Sequence, residues 1–89
     1  MANLIAIIRA TRASHSAVDA MARAQRDMAH AEKTQAWNRM QVLRGYMSPR
    51  AAVTDNAICE SDRLTAAKKY AAARKRYLAA QATLDSIPL

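Results

Sequence analysis

The sequence predicts an all-α protein, an antiparallel two-helix hairpin with long arms over about residues 3–44 and 49–86. Three observations lead there. Alanine fills 22 of the 89 positions while glycine occurs once, proline twice and phenylalanine never, a composition that favours helix and offers little to strands or irregular loops. Chain-breaking chemistry is concentrated in one place, Arg44-Gly-Tyr-Met-Ser-Pro-Arg50. Apolar residues on both sides of it recur at helical spacing. Residues 1–89 therefore read as one domain with a turn at 45–48, and each arm approaches about 60 Å at 1.5 Å per residue.

In the first arm Ile7, Ala10, Ser14, Ala17, Met21, Ala24, Met28 and Ala31 follow alternating steps of three and four, which places them on one stripe. Alanine lets a neighbouring helix approach closely, and methionine adapts to irregular gaps. Beyond residue 31 the stripe is expected to drift to Ala36, Met40, Leu43 and Met47, as a 3.6-residue repeat would. At the turn Gly45 can take the left-handed conformation that ends a helix. Ser48 can cap the next helix, and Pro49 suits its first turn.

The second arm carries one cluster of poor helix formers, Val53-Thr-Asp-Asn56, where Thr54 or Asp55 could recap a helix, and propensity leaves open whether the arm breaks there. It also has two apolar stripes rather than one. Val53, Ala57, Leu64, Ala67, Ala71, Leu78 and Ala82 form the first. Cys59, Ala66, Tyr70, Ala73, Tyr77, Ala80, Leu84 and Ile87 form the second, rotated by more than about 100°. A hairpin needs one buried stripe per helix, so the other calls for a further surface. Cys59, Ala66, Tyr70, Ala73, Tyr77 and Leu84 are expected at a homodimer interface that builds a four-helix bundle, with a foreign protein as the alternative occupant.

A chain of this length buries only about 60–65% of its unfolded surface, which again favours association. The formal charge of +7, from 14 basic against seven acidic residues, attracts acidic partners without choosing among nucleic acid, anionic lipid and protein. One cysteine rules out an internal disulfide and suits a reducing compartment, so a cytoplasmic location is expected. The run Leu4–Ile8 ends at Arg9, well short of the roughly 20 apolar residues of a membrane span. Ten arginines to four lysines in an alanine-rich chain suggest a GC-rich gene of bacterial or phage origin, and the size and shape suggest an accessory protein of a phage or mobile element.

Few polar groups are spaced to converge for catalysis. His15 and Asp19 lie one helical turn apart, but Ser14 and Ser16 point elsewhere. Asp27 and His30 form one carboxylate-x-x-His pair where a di-metal bundle needs two. Cys59 and two distant histidines lack zinc spacing, and one glycine makes no phosphate loop. No cofactor, no metal and no enzymatic activity are expected.

What remains is surface recognition. The outer side of the first arm carries Arg23, Arg26, His30, Lys33, Trp37, Gln41 and Arg44, with Trp37 turned away from the methionine stripe. Tryptophan beside arginine is the composition of an interface anchor. These residues are expected to bind a larger protein with an acidic surface and to modulate or inhibit it. The alternative is nucleic-acid binding through the cations of residues 63–76, above all Lys68, Lys69, Arg74, Lys75 and Arg76. Asp55, Glu60 and Asp62 precede that cluster, as the helix dipole favours.

Overall fold

Turn chemistry divides the chain where the sequence places the break. In the computed structural model, which describes residues 2–88, α1 runs Ala2–Leu43 and α2 runs Pro49–Ser86. The two ends of the expected 1–89 domain, Met1 and Leu89, lie outside the described residues. Gly45 takes φ 79° and donates its N–H to the carbonyl of Val42, while Tyr46 N–H reaches the carbonyl of Gln41 at 2.9 Å. That pair of bonds is a Schellman motif, which satisfies carbonyls a helix end would leave orphaned. Ser48 caps α2, its Oγ accepting from Ala51 N–H at 3.1 Å, with Pro49 in the first helical position. No described helix is long and apolar enough to cross a membrane.

The two helices fold back on each other into a rod 66 × 15 × 14 Å, the long dimension matching a 42-residue helix at about 1.5 Å per residue. The seam is a strict seven-residue repeat of small side chains. Ala10, Ala17, Ala24 and Ala31 are buried on α1, and Ala52, Cys59, Ala66, Ala73 and Ala80 on α2. Such a repeat at 3.5 residues per turn keeps one line of each helix against its partner along the whole length. Larger residues at the intervening positions, Met21, Met28, Tyr70, Tyr77 and Leu84, are half-buried along one side of that line.

Two expectations are corrected here. The stripe of α1 does not drift: it continues through Asn38, 2% exposed, and Gln41, 9% exposed, while Met40 and Leu43 stand out at 44% and 76%. Polar groups hold the seam near the turn because they find partners across it. Asn38 Nδ2 donates to Asp55 Oδ2 and, at 3.0 Å, to Asn56 Oδ1, and Gln35 Nε2 donates to the carbonyl of Asn56 at 3.3 Å. Those same partners explain why residues 53–56 remain helical instead of kinking, since tertiary hydrogen bonds offset their weak propensity.

The second correction concerns the stripe expected at a dimer interface. Cys59, Ala66 and Ala73 are buried against α1, with Tyr70, Tyr77 and Leu84 half-buried beside them, so this stripe is the seam of the hairpin itself. Alanine wins that place because it lets two helix backbones approach, where leucine would hold them apart. The other stripe faces outward instead, with Val53, Leu64 and Leu78 exposed.

Candidate functional site

One line of α1 carries Arg9, Ser16, Arg23, His30 and Trp37, continued by Arg44 in the turn just past the helix end, each seven residues from the next, and all are exposed. Steps of seven on a helix held at 3.5 residues per turn share a single azimuth, so these side chains form a ridge about 50 Å long beside the seam. Arg26 and Lys33 stand exposed on the next line outward. Five of the seven residues expected to bind a partner therefore lie together on one side of α1, with Arg44 just beyond its end. Gln41 does not. It sits three residues beyond Asn38 on the seam-facing side, and the backbone N–H groups of Tyr46 and Met47 bond to its carbonyl, bringing the connection against it.

Trp37 is 60% exposed although it lies inside α1, two turns before its end, and one residue from the most deeply buried polar side chain among the described residues. Its place is dictated by phase: Asn38 takes the seam and pins Trp37 about 100° away from it. Near it the turn end exposes further apolar surface in Met40, Leu43, Tyr46 and Val53.

Between this ridge and α2 runs a groove. Toward the open end of the hairpin it is floored by Ala6, Ala13, Ala20, Ala72 and Ala79. Four cations line it, Arg9 and Arg23 from α1 with Lys69 and Arg76 from α2. Toward the turn the lining becomes acidic, with Asp27, Asp55 and Asp62 beside His30. Among the described residues, no cluster of histidine, cysteine and carboxylate side chains is placed to hold a metal ion.

The five cations of the nucleic-acid alternative are all exposed but do not share a face. Lys69 and Arg76 border the groove, and Lys68 and Lys75 lie a step outward. Arg74, seven residues before Gln81, points to the opposite side, where Gln81 Nε2 donates to Ser14 Oγ at 3.0 Å. That opposite side also carries the Glu60–Arg63 pair, closed by bonds of 2.6 and 3.0 Å. Arg63's hydrogen bond, then its charge, holds the Glu60 carboxyl below its ordinary value, and Glu60 in turn raises Arg63.

Cys59 lies in the seam, 7% exposed. Burial first, and the carboxylates of Asp55 and Asp62 next, push its thiol up from the ordinary value. A thiol held in that form is a packing residue rather than a nucleophile.

Sequence reasoning missed Asn38, Gln35 and Asn56 as seam residues and missed the groove. The seven-residue spacing from Ala10 through Ala31 to residue 38 was the available signal for the first. The groove has none, because its cations come from both helices. Comparison with protein families, with curated proteins and with solved structures gives no match.

Proposed function

We propose that this chain is a non-enzymatic helical-hairpin protein that docks its Trp37 ridge on an acidic surface of a larger protein and modulates or inhibits that protein by occlusion. The observation that carries this is Trp37 itself, 60% exposed in line with Arg23, His30 and Arg44. Burying the rest of an indole of about 250 Å² is worth roughly 3–4 kcal/mol at 25 cal/mol per Å². A free protein forgoes that; a complex recovers it, and arginine neighbours supply charge-assisted bonds at the rim.

Self-association into a four-helix bundle belongs to the same proposal, on a different face. The rod exposes 6790 Å², where a compact monomer of 9.8 kDa exposes about 5,200 Å². With the alanine seam spent inside the hairpin, the outward stripe Val53, Ala57, Leu64, Ala71 and Leu78 is the surface a second copy would cover. Light scattering on wild type and on Leu64→Glu tests it: a monomeric mass for the wild type rejects the dimer.

The docking reading is tested by affinity capture from the native host, with nuclease treatment as control. Partner recovery should survive nuclease and fall in Trp37→Ala and in Arg26→Glu. Recovery unchanged in both variants removes the ridge from the interface. A second reading, nucleic-acid binding, draws on the meeting of Lys69 and Arg76 with Arg9 and Arg23 along one groove. It requires affinity that falls steeply with salt and is lost when Lys68, Lys69, Arg74 and Arg76 are neutralised.

A further inference from the structure

We propose that the groove over residues 6–27 of α1 and 69–83 of α2 seats one acidic amphipathic helix of the partner protein, laid along the hairpin as a third helix. This rests on the reading of the chain as a protein-binding hairpin and names the element it binds. The floor consists of alanine methyls, with Ser16 and Thr83 the only small polar side chains among its lining residues. Alanine on both flanks leaves the space between the helices unfilled, and helices pack at about 8–10 Å when the residues between them are small. The occupant that fits is a helix presenting its own small or apolar stripe.

Charge selects which helix. Arg9, Arg23, Lys69 and Arg76 line this stretch against a single carboxylate, Asp27, at its inner end. A second copy centred on this stretch would set those four cations against their own counterparts. A copy laid antiparallel over the whole groove would bring them to Asp55 and Asp62 instead, and self-association abolished by Arg9→Glu with Arg76→Glu would assign the groove to that copy and overturn the proposal. A phosphate backbone would satisfy the cations but gain nothing from an apolar floor, which a helix with acids on both edges of an apolar stripe would bury. The change to Asp55 and Asp62 farther along the groove confines the acidic helix to the open-end half.

The test uses the full-length protein and a labelled helical peptide of about 21 residues, long enough for the roughly 32 Å from Ala6 to Asp27. The peptide carries an alanine–leucine stripe edged by glutamates, and its counterpart has glutamine in their place. At about 0.15 M salt, fluorescence anisotropy should give the glutamate peptide at least about a tenfold tighter Kd, as several modest rim pairs acting together would. Arg9→Glu with Arg76→Glu should remove that advantage. Ala13→Tyr with Ala72→Tyr, both at exposed floor positions, should block binding while circular dichroism stays helical. Trp37→Ala should leave the peptide's Kd unchanged, since Trp37 lies ten residues beyond Asp27; failure of the Trp37 anchor and failure of the groove are thus separable. Equal Kd values for the two peptides, or binding indifferent to the tyrosine pair, overturn the proposal. So does a duplex DNA oligonucleotide that displaces the peptide and is itself excluded by the tyrosine pair, which would assign the groove to nucleic acid.

Discussion

Replacing Asn38 by alanine probes what holds the two helices in register. The alanine seam repeats every seven residues on both helices, so sliding one past the other by a heptad would still bring alanine against alanine. The short connection between Leu43 and Pro49 opposes so long a slide, and the polar pairs fix the register along the rod, Ser14 with Gln81 near the open end and Asn38 with Asp55 and Asn56 near the turn. Asn38 is 2% exposed, so the substitution removes both bonds and opens a small cavity. Leaving a fully buried polar group without its partner costs about 1–3 kcal/mol, and here Asp55 and Asn56 are only half-buried, so water reaches them. About 1–2 kcal/mol is expected. For a chain of this size each kcal/mol lowers Tm by about 4–8 °C, which places the change near 5–15 °C in a melt followed by circular dichroism at 222 nm. A double-mutant cycle with Asn56→Ala should show coupling above about 0.5 kcal/mol. A Tm drop under about 2 °C, or strictly additive effects in the cycle, would refute the role given to Asn38.

Other substitutions test the remaining structural claims. Ala73 is fully buried in the seam, so Ala73→Leu should cost about 1–3 kcal/mol by overpacking, whereas Ala29→Leu on the outer side of α1 should stay within about 0.5 kcal/mol, both read from urea midpoints. Gly45 has φ 79° and open space where a Cβ would stand, so Gly45→Ala should lose only the left-handed backbone penalty of about 1–2 kcal/mol, without a steric addition. Cys59 should alkylate with iodoacetamide more slowly than free cysteine, with its rate–pH curve moved above the ordinary thiol value of 9.0; a rate matching free cysteine would mean the seam opens readily. Because Glu60 is depressed below its ordinary 4.5 in the folded chain, its stabilisation is present above that value and fades as pH falls through the folded value. Arg63→Gln should therefore flatten the acid side of the Tm–pH curve.

How far the hairpin is legible in the sequence follows from the range of each interaction. Gly45, Ser48 and Pro49 act on backbone groups within a few residues, so the break between the helices and the chemistry of both caps are local properties of the chain. The exposure of Trp37 is legible for a similar reason, because helical phase relative to Ala17, Ala24 and Ala31 sets its azimuth before any partner helix is placed. Which stripe of α2 becomes the seam is different. Both stripes have helical period and apolar residues, and the bulkier Val53, Leu64 and Leu78 would suit a core as well as alanine does by hydropathy alone. Close backbone approach is a property of two helices together, and only in that pairing does the stripe of Cys59, Ala66, Ala73 and Ala80 win. Asn38 shows the same limit: an amide reads as surface until a carboxylate and a second amide from the other helix stand within bonding distance. The basic groove is wholly tertiary. Arg9 and Arg76 are 67 positions apart in sequence, and antiparallel packing alone sets them along one channel. The sequence by itself determined two capped helices, their turn and the outward face of Trp37, whose causes lie within one helical turn. Tertiary structure decided the seam, the register and the groove, because each depends on side chains of one helix meeting those of the other.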